Sequence, residues 1–309
     1  MSASGTRDIG RRIRSVQSTQ QITRAMKMVA AARLRKAQER MLAMRPYCRD
    51  LEEMLPVVVA EMQGDDAPLL AGRPDPASAA LVVMTSDRGL CGSFNNYIIR
   101  RAERFISGEA AGRDIRLITI GAKGQKALSR LRPPGSVEHI TGAWEDVSFV
   151  TATALAESLC DRMETAEVDE AYILYAEFRT AATQTQVVRR ILPVKGAEIS
   201  VASVEGTATS GRLQKVDEAG HSSPGMEFDP DLETVAERLF RRFVATEIYR
   251  AMLENLASEL GARMTAMDTA TRNADDMIAA LTLEYNKARQ ADITEEMLDI
   301  VGGAEALRA

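Results

Sequence analysis

Two glycine-containing turns carry the residue types best suited to chemistry. Asp87-Arg88-Gly89-Leu90-Cys91-Gly92 follows an apolar run and precedes a helical stretch, where backbone N–H groups could cradle a phosphate at a helix N-terminus. Gly121-Ala122-Lys123-Gly124-Gln125-Lys126 stands in the same relation to a second apolar run. Neither turn has the spacing of a dinucleotide fingerprint, and neither ends in the Gly-Lys-Ser/Thr order of a Walker loop, so tight strand-to-helix turns account for both. His139 and His221 are isolated, and Cys48, Cys91 and Cys160 lack CxxC spacing. Neither a zinc site nor a disulfide framework is expected, and the cysteines read as reduced, buried thiols. No Ser-His-Asp or paired-carboxylate constellation can be recovered, so no catalytic residue, metal or cofactor is assigned.

The chain has 309 residues, 45% of them hydrophobic, enough for one large or two ordinary domains with a packed core. No segment approaches the roughly 20 consecutive apolar residues that cross a bilayer, and the first 15 residues lack a secretory signal's apolar stretch, so a soluble, cytoplasmic protein is expected. The net charge of −5 speaks neither for nor against nucleic acid, but its distribution is informative. Residues 1–45 hold eleven Lys/Arg against Asp8 and Glu39, a net of +9, whereas residues 229–309 hold nine against sixteen acids, a net of −7. Such ends attract one another and favour lying side by side.

From Asp8 to Arg45 there is no proline, and after Gly10 no glycine, while good helix formers dominate. One long helix is predicted, with apolar residues at Ile9, Ile13 and Val16, then Ile22, Met26 and Val29, then Leu34, Ala37, Met41 and Met44. Pro46 should end or kink it, with helical continuation to about Met62. Residues 63–78, dense in Gly, Pro and Asp, read as a linker. The runs at 79–85, 114–120 and 169–178 read as strands, alternating with helices near 96–107, 122–131 and 148–166, and 187–194 as an edge strand because of its proline. This alternation predicts a mainly parallel sheet covered by helices, while 196–226 looks like a mobile polar excursion. In the last segment Asp229 suits an N-cap and Pro230 the first turn of a helix running to Val301, where Gly302-Gly303 supplies a stop. About 70 residues at roughly 1.5 Å each approach 100 Å, far more than a compact domain needs. Its stripe of Leu253, Leu256, Leu260, Met267, Ala274, Ile278, Leu281, Tyr285 and Ala288 steps as a coiled-coil seam does. The predicted fold is α/β: a left-handed, antiparallel two-helix coiled coil of the N- and C-terminal helices (1–62 and 229–309) and a central Rossmann-like α/β domain (79–228).

Three motifs, in order, make this chain resemble the γ subunits of F-type ATP synthases. They are IRSVQSTQQITRAMKMVAAA from Ile13, followed by Arg45-Pro46-Tyr47; TSDRGLCGSFN from Thr85; and ARMTAM from Ala262, continuing through YNKARQ at Tyr285 to ITEEMLDIVGGA at Ile293. The resemblance implies a rotor shaft, one copy per complex, turning inside a head of three α and three β subunits. Its α/β domain would stand on the membrane c-ring beside the ε subunit, at the cytoplasmic face of the bacterial plasma membrane. Ion flow would drive ATP synthesis at the β subunits, where the catalysis resides. The chloroplast family members' inserted cysteine pair is missing, so their thiol regulation is not implied.

By the same resemblance, Arg289 and Gln290 are candidate contacts to an acidic catch loop of a β subunit, the alternative being a solvated helix face. Arg24, Lys27, Arg33 and Lys36 could meet acidic β segments or simply balance the acidic C-terminal helix. Met26 and Met28 offer either ordinary packing or a sliding bearing surface. The polar run of Ser15 and Gln17 to Gln21 reads as a place where the shaft meets its surroundings. Met44, Arg45, Pro46, Phe228 and Asp229 are candidate foot residues near the ring and ε. Two other readings remain: a coiled-coil tether that does not turn, and a nucleotide-binding enzyme whose site lies at a strand end.

Overall fold

The computed structural model describes residues 3–62, 68–73, 75–130, 137–194 and 228–306, so the expected excursion at 196–226, His221 and residues 63–67 of the linker lie outside the described residues. Among the described residues five strands form: β1 (Ser78–Met84), β2 (Asp114–Ile120), β3 (Val137–Ile140), β4 (Glu170–Phe178) and β5 (Gln184–Leu192). Their order is β3-β2-β1-β4-β5, parallel except for β5, which runs antiparallel to β4. Central β1 is buried on both faces, which explains its unbroken apolar sequence. Its even residues, Ala80, Val82 and Met84, join Ile118, Ile120, Ile173 and Tyr175 on one face. Its odd residues, Ala79, Leu81 and Val83, join Leu117, Leu174 and Ala176 on the other.

Helix α3 (Phe94–Arg104), with the π-helical turn Phe105–Glu109, covers the odd face through Phe94, Ile98, Ala102 and Phe105. The even face receives α5 (Phe149–Glu164) and the long C-terminal helix α6 (Leu232–Ala306) through Leu155, Leu159, Phe240, Val244 and Ile248. Short helices α2 (Pro68–Ala71) and α4 (Ala122–Leu128) also belong to the domain. The sequence reading missed β3: its four half-exposed residues carry no fully buried run. The predicted edge position of β5 is observed, with Pro193 just beyond its last residue, where no ladder hydrogen bond is needed.

The N-terminal helix α1 (Ala3–Glu61) lies antiparallel to α6. Contacts at Thr6–Asp292, Gln20–Asp275, Thr23–Thr271, Lys27–Asp268 and Tyr47–Arg242 descend one helix as they climb the other. The more buried residues of α1 alternate steps of three and four without interruption: Ile9, Ile13, Val16, Gln20, Thr23, Lys27, Ala30, Leu34, Ala37, Met41, Met44, Cys48, Leu51, Leu55 and Val58. On α6 the matching series is Met267, Thr271, Ala274, Ile278, Leu281, Tyr285, Ala288 and Asp292.

Three boundary and stripe assignments change, while the continuation of α1 past Pro46 to Glu61 agrees with the expected end near Met62. Ile22 and Val29 are 57% and 55% exposed, because the heptad phase set by Val16 and Ala37 places Thr23 and Ala30 in the seam instead. One residue is about 100° around a helix, so phase overrides hydrophobicity here. Pro46 does not end α1; it sits on the exposed face, where a carbonyl deprived of its N–H partner meets water, while the seam continues to Val58. Helix α6 is capped by Asp231, not Asp229: its carboxylate accepts from the Thr234 N–H (2.8 Å) and hydroxyl (2.9 Å). At the other end α6 runs through Gly302-Gly303 to Ala306.

One buried carboxylate fastens the segment before β1 to the sheet. Asp169 Oδ2 accepts from the N–H groups of Ala77 and Ser78 and from Ser78 Oγ, each at 2.9 Å, while Oδ1 pairs with Arg73. Desolvation pushes this carboxyl up, but the hydrogen bonds from Ser78, Arg73 and Ala77 outweigh it and hold it below the ordinary Asp range. Such a group stabilises the fold above its unfolded pKa, and that contribution disappears as pH falls through the folded one. Asp169→Ala should cost about 2 kcal/mol in urea unfolding of the full chain near neutral pH, and the gap from the parent should narrow in acid.

Candidate interaction surfaces

The two glycine turns are occupied by their own neighbours. Asp87 Oδ1 accepts from the Ala122 N–H (2.9 Å), Thr85 Oγ1 from the Gly124 N–H (2.8 Å) and the Ser86 carbonyl from the Lys123 N–H (3.2 Å). A carboxylate of the chain thus stands where a phosphate would approach α4, and the amides that would bind one are paired. Ser86 and Asn95 close the first turn on itself. In a parallel sheet of this order a ligand would enter where the connections diverge, beyond the ends of β1 and β4. Here α6 fills that crevice. Asn255 Oδ1 accepts from the Ala176 N–H (3.1 Å), Ser258 Oγ donates to the Ala176 carbonyl (2.8 Å), Thr265 Oγ1 donates to the Ala181 carbonyl (3.2 Å), and Arg263 donates to the Gly89 carbonyl (3.2 Å).

The shaft residues separate into inward and outward sets. Lys27 is a seam residue paired with Asp268, so its charge is spent within the helix pair. Arg24, Lys36, Arg289 and Gln290 are exposed, and none of the three cations pairs with a described residue. Arg33 is also exposed but projects its field onto Glu259 of α6. Met26 is half-buried beside the seam, whereas Met28 is exposed. Met44 packs into the core with Phe228, while Arg45, Pro46 and Asp229 reach solvent. Tyr47 meets Arg242, so Pro46 lies near the level of Arg242, about ten residues into α6.

Two further features were not anticipated. Thr6 pairs with Asp292, so the last 14 residues of α6 extend past that level. This tip exposes Ile293, Met297, Leu298, Ile300 and Val301, with Ile300 72% accessible. A run of this kind marks an interaction site, and the motif that contains it hid its apolar character among acids. The second feature is an ion network where shaft and domain meet. Arg189 of β5 donates to Glu247 (2.7 Å), and Arg250 pairs with Glu247 (3.4 Å) and Glu254 (3.2 Å). Burial pushes the Glu254 and Glu52 carboxyls up, and Arg250 only partly offsets it. Burial, with the field of Glu247, also lifts the Cys48 thiol to about 11, so it stays protonated and unreactive. Charges three or four apart on a helix read in sequence as a solvated face, which is why this network was missed.

Among the described residues no group of His, Cys, Asp and Glu could hold a metal ion, and no helix is long and apolar enough to cross a membrane. A family model described as ATP synthase matches residues 5–307. The ATP synthase gamma chain of Sorangium cellulosum is 41% identical over 331 residues, covering 98% of each chain. In the Tetrahymena thermophila mitochondrial ATP synthase central stalk and c-ring structure, one chain matches with a TM-score of 0.56 and 26% identity, over 81% of this chain and 99% of that one. A chain of the Euglena gracilis mitochondrial enzyme shares the fold with a TM-score of 0.67 at 22% identity, over 99% of this chain and 95% of its own. With long helices, sheet and terminal motifs all inside one full-length match, the chain belongs to the ATP synthase gamma chain family.

Proposed function

We propose that this chain is the rotor shaft of an F-type ATP synthase, coupling ion flow through a membrane ring to ATP synthesis and hydrolysis in a head of three α and three β subunits. The apolar tip of α6 carries the reading. A lone helix end exposing Ile293, Met297, Leu298, Ile300 and Val301 needs an apolar collar, which the centre of a threefold head would supply. One copy per head follows, since a single asymmetric shaft must face three equivalent sites. The basic helix α1 and the acidic helix α6 lie side by side, so each β subunit meets a different charge as the shaft turns. Differential contact of that kind is what allows one element to bias another's conformational equilibrium.

Arg289 and Gln290 then reach a β catch loop, and Arg24, Met26, Arg33 and Lys36 line the bearing. Lys27 acts within the shaft. Arg45, Pro46 and Asp229 face the ring and the ε subunit, with Met44 and Phe228 packed behind them. The chain contributes no catalytic group, and it sits at the cytoplasmic face of the membrane through the complex. The test is assembly of the chain with its α and β subunits and a bead on the α/β domain. Unidirectional stepping during ATP hydrolysis is expected, with lower torque after joint replacement of Arg289 and Gln290 by Ala. ATP turnover without rotation would leave a tether as the better account. Cysteines placed at Arg45 and Asp229 should cross-link to polar loops of the ring; failure at both would remove the foot assignment.

A further inference from the structure

We propose that Asn255, Ser258 and Gly261 of α6 form the key through which torque passes between the α/β domain and the shaft; this rests on the rotor reading above. The key engages the backbone of β4. The β1–β4 ladder ends at Val83 and Leu174, so two residues further on the Ala176 N–H and C=O on that side have no strand partner. Helix α6 takes the place of the missing strand. Asn255 (1% exposed) accepts from the Ala176 N–H at 3.1 Å and Ser258 (0%) donates to its carbonyl at 2.8 Å. One turn on, α6 meets the β4–β5 turn at Gly261, where a Cβ would lie 3.0 Å from Ala181 Cα and 3.1 Å from its carbonyl oxygen. Thr265 then donates to that same carbonyl.

These groups occupy one face of α6, while Leu253, Ala257 and Leu260 occupy others against α1 and the core. Apolar burial resists separation but has no preferred direction of its own. Hydrogen bonds to a fixed peptide group do have direction, and a pair to one residue sets both the axial and the angular position of α6. The load enters β4, which is bonded to β1 on one side and β5 on the other, and so spreads over the sheet. Among the described residues helix α1 has no comparable pair of hydrogen bonds to one buried peptide group. Its described ties to the domain are buried apolar residues such as Leu55 and Val58, with the half-exposed Arg40 reaching the Val147 carbonyl at 3.5 Å and Asp146 at 3.7 Å. Torque therefore runs through α6, and α1 follows.

The experiment uses the assembled complex of this chain with its α and β subunits, with a bead on the α/β domain, comparing the parent with the Asn255→Ala/Ser258→Ala double variant. ATP hydrolysis should stay within about twofold, because Asn255 and Ser258 are buried against β4 and are not among the outward residues that line the bearing. The fraction of turnovers that yield no bead step under load should rise roughly tenfold, equivalent to about 1.4 kcal/mol. Exchange of the Ala176 amide should quicken by a similar factor. Equal slip in parent and variant, with the variant assembled and its Ala176 amide released, would overturn the proposal. If the double variant does not assemble, Ser258→Ala alone removes one bond and is judged by the same comparison. A parent complex that hydrolyses ATP without stepping indicts the rotor reading instead, whereas slip confined to the variant bears on the key.

Discussion

Gly121→Val is expected to unfold the α/β domain at a far lower temperature than the parent. Gly121 has φ = +102°, and a Cβ there would lie 2.2 Å from the Thr85 carbonyl oxygen and 2.6 Å from its carbon. The obstacle is backbone, already bonded: Thr85 N–H donates to the Ile120 carbonyl at 2.8 Å, and its hydroxyl accepts from Gly124. Nothing flexible can give way, so both the turn and the β1–β2 junction must shift. Strain at positive φ and overpacking each cost about 1–3 kcal/mol, and together about 4 kcal/mol, or on the order of 10 °C in melting temperature. Gly89 is the control. It lies in the other turn, has no atom within 4 Å of a built Cβ, and Gly89→Ala should change stability by no more than about 0.5 kcal/mol. Indistinguishable melting of the two variants would show that the second turn is not held as described.

Arg250→Met should cost about 3–5 kcal/mol, the usual penalty for stranding a buried carboxylate. Arg250 is the shared partner of Glu247, 8% exposed, and Glu254, and its field also reaches Glu52. Without it three acids crowd the joint between shaft and sheet. The cost should grow with pH, because the Glu254 and Glu52 carboxyls, already pushed up by burial, must then ionise without Arg250, and shrink where protons neutralise them. Glu254→Gln makes the opposite prediction. Burial has raised the Glu254 pKa above its ordinary value of 4.5, so its contribution is most favourable in acid and is lost as pH rises through the folded value. Gln keeps an acceptor for Arg250 without the charge. This variant should therefore match or exceed the parent at pH 8 and fall below it near pH 4.5. Guanidinium unfolding of the full chains across that range checks both signs, and a Glu254→Gln deficit that widened with pH would refute the assignment.

Both variants act on groups that the sequence displays but does not interpret, and the same divide runs through the whole molecule. Periodicity made the helices legible, because Ile9 to Met44 and Leu253 to Ala288 repeat over many turns and must find a partner. The opposite charges of the two ends named that partner. Strands β1, β2 and β4 were legible because a central parallel strand buries both faces and so reads as an unbroken apolar run. Where those signals were weak the reading failed. Half-exposed β3 lacked a run, and the cap was read as Asp229 beside Pro230, whereas the Thr234 amide bonds Asp231.

The candidate surfaces divide the same way. Arg24, Lys36, Arg289 and Gln290 project outward as a helical face predicts, but Lys27 differs only by phase, and phase is set by the partner helix. By itself, then, the sequence determined the family, the paired helices and the parallel sheet between them, since each depends on patterns repeated along the chain. Tertiary structure alone decided that Thr23, not Ile22, enters the seam, that Arg250 is buried among acids, and that α6 replaces a strand at Ala176. Each of those depends on a contact between residues far apart in the chain, and no local spacing encodes it.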